Sequence, residues 1–277
     1  MNAYAYCEDR VRAADKDRFL ASLFAPAEAR RHLFALYAFN AEIARVREVV
    51  RTPMAGEIRL QWWRDALQGE GHGEVRANPV ADALIGTMAA CRLPVEPLLA
   101  LIEARSFDLY NDPMPTLDAL YGYVRKTSSS LVELAAVILG GADPIAAGLA
   151  GPAGIGSGIA RLLQAFPVHA AGGRLYLPGE VLARHGVAPA DVYARRATPQ
   201  LRAALSDLRE RARLELDQVA TAADRLTDQA RPAFLTVALA RLLLDRLEAH
   251  AADPFAPVEV PQWRRQWALW RSARRLR

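Results

Sequence analysis

Apolar residues recur at three- and four-residue intervals along most of this chain, and the strict alternation that a half-buried strand requires is nearly absent. Leu201, Leu205, Leu208, Ala212, Val219, Ala223 and Leu226 trace one helical stripe, with Arg and Asp on the other face. The stretch from Phe234 to Leu247 is apolar almost all round, as suits a helix inside a bundle. The same spacing predicts helices at about 27–50, 56–68, 79–91, 94–109, 116–139, 144–170 and 178–186. Pro26, Pro79, Pro94, Pro115, Pro144, Pro199 and Pro232 fall at or near the helix starts, where a missing N–H costs least. The expectation is an all-α fold. No linker rich in Gly, Ser or Pro divides residues 1–277, so they read as a single domain ending in a basic segment, 263–277.

Several classes drop out on composition. With 52% hydrophobic and 24% charged residues the chain has the apolar content to bury a core, and it is not a disordered polymer. The longest uncharged run, Pro144–Ala160, contains five glycines and two prolines and makes a poor bilayer helix. Cys7 and Cys91 have neither metal-ligand spacing nor a disulfide framework. The charged N-terminus carries no apolar signal core, so a reducing, cytoplasmic setting is expected.

The local motifs are weak. Gly148–Leu163 is glycine-rich but lacks the dinucleotide register and a preceding strand, so its small residues are read as allowing close approach of helices or of a ligand. Asp108/Asp112 and Asp224/Asp228 are each four apart, the spacing of a shared Mg²⁺ site or simply of a solvated face. His32, His72, His169, His185 and His250 are scattered and make no metal motif.

Four segments together resemble the squalene/phytoene synthase family over about residues 4–250: Arg18–Val46 with its ALYAF helix, Arg59–Leu67 (RLQWWRDAL), Leu101–Leu139 with FDLY and YGYVRKTSSSLVEL, and Gly154–Val187 with GRLYLP. The resemblance implies an isoprenoid-synthase helical bundle around a central, deep apolar cavity. It also implies head-to-head joining of prenyl diphosphates, with Mg²⁺ held by two aspartate-rich motifs to stabilise the departing diphosphate.

At the positions matching those motifs the chain departs from the pattern. Ala44 and Arg45 stand for the first aspartate pair, and only Glu48 keeps a carboxylate. Arg161, Ala165 and His169 stand where the second motif has Asn, Asp and Asp, all on one helical face. Cationic Arg45 and Arg161 repel Mg²⁺, so no metal or other cofactor is expected. Parts of the diphosphate pocket remain by resemblance: Tyr37 one turn before the lost motif, Arg174 and Tyr176 in GRLYLP, and Ser128-Ser129 where the family has Ala-Gly. With Asn40 and Glu42 of the Phe-Asn-x-Glu run, Tyr37, Arg45, Ser129, Arg161, Arg174 and Tyr176 are the candidate ligand residues. One reading makes Arg45, Arg161 and Arg174 a vestigial anion site in place of the metal. The other pairs Arg45 with Glu42 or Glu48 and Arg161 elsewhere.

Within the family, FNAEIARVREVV, RLQWWRD, KTSSSLVEL and FPVH most resemble the non-catalytic branch of complex I assembly factor 6 and its bacterial relatives. That branch implies a role in assembling the respiratory NADH:ubiquinone oxidoreductase, with a complex I subunit or assembly intermediate as partner. Two other functions stay open. One is an active head-to-head prenyl diphosphate synthase whose atypical Mg²⁺ site uses Glu42, Glu48, Asp108 or Asp112. The other is a carrier for a prenyl or quinone-like lipid.

The chain carries 35 basic and 31 acidic residues, but the excess lies at its end: residues 263–277 hold six arginines and no acid. Trp263, Trp267 and Trp270 share one helical face, with Arg264 and Arg271 among the arginines around them. Tryptophan favours the headgroup zone and arginine an anionic leaflet, so this end is read either as a contact on the inner face of the cytoplasmic membrane or as a last helix packed on the bundle. Nucleic acid is not indicated, because the rest of the chain lacks a basic, aromatic-interleaved surface.

Overall fold

A computed structural model describes residues 2–71, 73–140 and 143–275, with the side chain of Arg275 outside the description. His72, and Leu276 and Arg277 at the end of the basic tail, lie outside the described residues. Among those described there is helix and loop but no strand. In chain order the helices are α1 (Ala3–Ala14), α2 (Lys16–Ser22), α3 (Ala27–Ala44), α4 (Val46–Val49), α5 (Pro53–Gln68), α6 (Pro79–Cys91), α7 (Glu96–Arg105) and α8 (Leu117–Val124). After a π-helical turn at Arg125–Ser129 come α9 (Ser130–Gly140), α10 (Pro144–Ala171), α11 (Gly179–Arg184), α12 (Pro189–Tyr193), α13 (Pro199–Ala222), α14 (Leu235–Ala249) and α15 (Gln262–Arg275).

Pro79, Pro144 and Pro199 open helices for the reason expected, and Pro53, outside the expected starts, opens α5 in the same way. Thr52, Asn78, Asp143 and Thr198 cap α5, α6, α10 and α13 through their side chains, and proline occupies the following position, where no N–H is needed. Three expected spans are subdivided. The 27–50 helix stops at Ala44 and resumes as α4 after Arg45. The 94–109 span becomes α7 followed by a 3₁₀ turn at Ser106–Leu109, and 116–139 is interrupted by the π-turn. Helices α1 and α2 carry too little apolar periodicity to be read in advance: α1 buries fully only Cys7 and Val11.

Helix α10, 28 residues long, packs against α9, α13, α14 and the π-turn. The glycines of Gly148–Leu163 serve helix contact. A Cβ on Gly154 would lie 2.2 Å from the Ser129 Cα, and one on Gly156 would lie 2.8 Å from the Ala212 carbonyl oxygen. Residues of α10 and of the end of α3 line a common cavity.

Candidate functional site

Ala44 at the end of α3, Arg45 just beyond it, and Arg161, Ala165 and His169 on α10 line one cavity of about 290 Å³, so these five positions face a common space. Glu48 is not among its walls: it lies outward and pairs with Arg45 at 3.6 Å. The nearest carboxylate comes from elsewhere. Asp15, between α1 and α2, accepts from Arg161 Nη1 at 3.2 Å, from Arg18 Nη1 at 2.8 Å and from the Arg18 backbone N–H at 3.0 Å. Burial alone would raise the Asp15 carboxyl, but the guanidiniums of Arg161 and Arg18 override it and hold the group well below the usual carboxylate range. An adjoining cavity of about 210 Å³ shares Asp15, Arg18, Ser128 and Arg161 and adds Tyr37. The Arg18 guanidinium lies 5.4 Å from the Tyr37 ring centre, and burial pushes the Tyr37 hydroxyl up to about 12.

The inner end of the larger cavity is closed by a second network. Asp108 is buried and accepts from Tyr176 Oη at 2.6 Å, Tyr123 Oη at 2.8 Å and Arg105 Nη1 at 2.9 Å. Next to it the His169 ring packs 4.5 Å from the Tyr176 ring. Burial, and then the nearby Arg174 charge, lowers the His169 imidazole to about 4, so it is neutral near pH 7. Beyond this network the apolar pocket between Leu120, Phe166, Leu177 and Leu208 narrows to about 10 Å³. The larger cavity is thus walled in large part by polar side chains, while the adjoining one adds apolar walls at Leu131, Leu239 and Leu243.

Of the candidate ligand residues, Tyr37, Asn40, Arg45 and Arg161 line these two cavities. Four point elsewhere. Glu42 faces Cys7, whose thiol is pushed up to about 12 by burial and by that carboxylate. The Ser129 hydroxyl donates to the Gly151 carbonyl at 2.9 Å, in the contact between the π-turn and α10, and it is Ser128 that faces the cavities. Tyr176 serves Asp108, and the Arg174 guanidinium lies beside Gly172. Asp15, Arg18, Arg105 and Tyr123 were not anticipated. Asp15 is an N-cap and Arg18 merely opens the RFLASLF segment, so neither carries a signal of its own.

The four-residue aspartate pairs do not form metal sites. Asp108 is buried on a 3₁₀ turn while Asp112 is exposed in the following loop. Asp224 and Asp228 are solvated and do not share a helix, and Asp228 pairs with Arg231. Among the described residues no group of three His, Cys, Asp or Glu side chains converges as metal ligands. Mg²⁺ does not fit the cavity as built: Asp15 is the one carboxylate among its walls and already accepts from two arginines, and Arg18, Arg45, Arg105 and Arg161 set positive charge beside the neutral oxygens of Asn40, Tyr123, Thr127 and Ser128.

The fold is shared with known proteins. A family model described as squalene/phytoene synthase matches residues 11–271. The chain belongs to the squalene/phytoene synthase family. It is 30% identical to the NADH dehydrogenase (ubiquinone) complex I assembly factor 6 of Rattus norvegicus, over 92% of this chain and 77% of that protein. It is 26% identical to the 15-cis-phytoene synthase of Synechococcus elongatus, over 96% and 91%. Among solved structures, the squalene synthase HpnC from Alicyclobacillus acidocaldarius superposes with a TM-score of 0.78 at 27% identity, covering 91% of this chain and 95% of that one. A ligand-bound dehydrosqualene synthase superposes at 0.84 with 20% identity, covering 99% and 96%, and shows the isoprenoid-synthase fold.

Proposed function

We propose that this squalene/phytoene synthase family member is non-catalytic and serves the assembly of respiratory complex I. The observation that carries the reading is the pairing of Arg161 with Asp15 at 3.2 Å inside the cavity where α3 and α10 meet. The guanidinium stands where the family pattern has a metal-facing Asn, Ala165 and His169 stand where it has carboxylates, and the nearby Asp15 carboxylate is already neutralised by Arg161 and Arg18. Ionising an allylic diphosphate without that electrostatic help forgoes the main source of rate acceleration in such catalysis. The likeness to complex I assembly factor 6 supports a complex I subunit or assembly intermediate as partner. Incubation of the purified chain with farnesyl or geranylgeranyl diphosphate and Mg²⁺ should release no pyrophosphate and form no C30 or C40 product. Chelator-sensitive turnover overturns the proposal and restores a synthase with an atypical metal site. In cells lacking the chain, native gels of membranes should show less assembled complex I.

A retained ligand site is favoured by a separate observation. The Asn40 Oδ1, Arg105 Nε and His169 Nδ1 atoms are buried, line the same cavity and have no hydrogen-bond partner. They offer both an acceptor and a donor to a small polar or anionic group. Calorimetric titration with pyrophosphate should give binding that Mg²⁺ does not strengthen. The pocket between Leu120, Phe166, Leu177 and Leu208, at about 10 Å³, leaves no room there for a prenyl or quinone-like chain. Extraction of the purified chain should release no prenyl or quinone lipid from it.

The membrane reading gains a second element. Trp263, Trp267 and Trp270 are 64%, 53% and 39% exposed on α15, and Phe24 in the α2–α3 turn is 42% exposed beside Trp270 and Arg274. Aromatic side chains ringed by arginines suit a peripheral place on the inner face of the cytoplasmic membrane. Among the described residues no helix is long and apolar enough to cross it. The full chain should sediment with anionic vesicles, and loss of residues 263–277 should weaken this.

A further inference from the structure

Helix α15 has a fixed rotational setting. Leu269 is buried against Ala21, Leu235 and Leu239, and Arg265 donates to Asp17 at 2.9 Å and to the Val260 carbonyl at 2.9 Å. With that face fastened to α2 and α14, the tryptophan face turns outward, and between α15 and the α13–α14 pair a groove of about 820 Å³ remains. Its floor is apolar, built by Val219, Phe234, Val237, Ala238 and Leu242, and Trp263 and Trp267 form one lip.

The charges around the groove are unequal. On the far side Arg241 pairs with Asp217, Asp245 pairs with Arg213, and Asp224 is solvated. On the α15 side Arg264 lies over the Trp263 ring at 5.2 Å, and neither Arg264 nor Arg271 has a carboxylate partner among the described residues. An apolar trough, an indole lip and two uncompensated guanidiniums match one class of ligand: an amphiphile with a hydrocarbon chain and an anionic phosphate head. We infer that this groove binds one anionic phospholipid, its chain on the Phe234–Val237–Leu242 floor and its phosphate against Arg264 and Arg271. The inference rests on the membrane reading above and sharpens it from attraction to a surface into a site for a single lipid.

The test uses the full chain and a short-chain phosphatidylglycerol kept below its micelle concentration, followed by calorimetry. Saturable binding of one lipid per chain is expected, weakened about tenfold or more by Ala238→Trp, which fills the floor, and by Arg264→Ala with Arg271→Ala. Ala220→Trp, at an exposed position on the rim, gives the same readout if Ala238→Trp fails to fold. Inorganic phosphate should not displace the lipid, and a short-chain phosphatidylcholine should bind about tenfold more weakly. Absence of saturable binding, or full affinity in both tryptophan variants, overturns the inference. So does displacement by phosphate, which would indicate a plain anion site, or a concentration-dependent dimer lost in Ala238→Trp, which would assign the groove to a second copy. If the short-chain lipid fails to bind while the chain still sediments with anionic vesicles, the groove alone is refuted. If neither occurs, the membrane reading falls with it.

Discussion

Asp15 and Arg161 meet at 3.2 Å although 146 residues of chain separate them. The contact ties the α1–α2 junction to the middle of α10 and neutralises the guanidinium that stands at the first position of the second motif. It also orders Arg18, whose buried charge depends on the same carboxylate.

Asp15→Asn should therefore destabilise the chain strongly. Removing one member of a buried ion pair leaves uncompensated charge and costs about 3–5 kcal/mol. Because the Arg161 side chain is 41% exposed, solvent offsets part of its share and the loss belongs at the lower end of that range. Arg161→Ala should cost less than Asp15→Asn, since Asp15 keeps Arg18. Thermal melts of the two variants check the order, and equal losses would show that the Arg18 contact contributes nothing.

A second stability prediction concerns Asp108. Asp108→Asn weakens the acceptor for Tyr123 and Tyr176 and strips Arg105 of its buried counter-ion, at about 3–5 kcal/mol. Tyr176→Phe removes one donor and keeps the ion pair, so it should cost about 1–2 kcal/mol. Urea unfolding midpoints measured at constant slope would separate them.

Acid should weaken the fold in two steps. The folded His169 imidazole is lowered to about 4 from an ordinary 6.5, so its contribution is present above pH 6.5 and is lost as pH falls toward 4. That loss amounts to about 2 kcal/mol at most, given the partial exposure of the ring. The Asp15 carboxyl, held below its ordinary 3.8, adds a loss only below that value. His169→Phe should flatten the melting temperature between pH 6.5 and 4 and leave the lower step in place.

Gly154→Ala tests the close approach of α10 to the π-turn. The new methyl would lie 2.2 Å from the Ser129 Cα and 2.3 Å from its backbone nitrogen, and backbone cannot swing away as a side-chain end can. A loss of at least about 2 kcal/mol in equilibrium unfolding is expected. Gly148→Ala, at a position with open space around it, should be neutral or slightly stabilising.

Helicity, the prolines at the helix starts and the family were legible along the chain because each rests on local spacing or on runs of adjacent residues. The facing of Ala44 and Arg45 toward Arg161, Ala165 and His169 followed from the family pattern, and the structure places all five on one cavity. Helices α1 and α2 were not legible: they are densely charged, and their place in the bundle is set by packing against α3 and α6 for α1 and against α14 and α15 for α2.

Three matters were decided only by the tertiary structure. Asp108 and Asp112 have the spacing of a helical pair, yet a 3₁₀ turn buries one among tyrosines and leaves the other in water. The α15 tryptophans share a face by periodicity, but the fastening of Leu269 and Arg265 decides that this face points outward. Whether Arg161 stands free or paired depends on Asp15, and a helix's period carries no information about a partner 146 residues away. Local backbone preferences set which side chains lie together on a helix. Only the packing of helices against one another sets which charges are neutralised, and so what the cavity can hold.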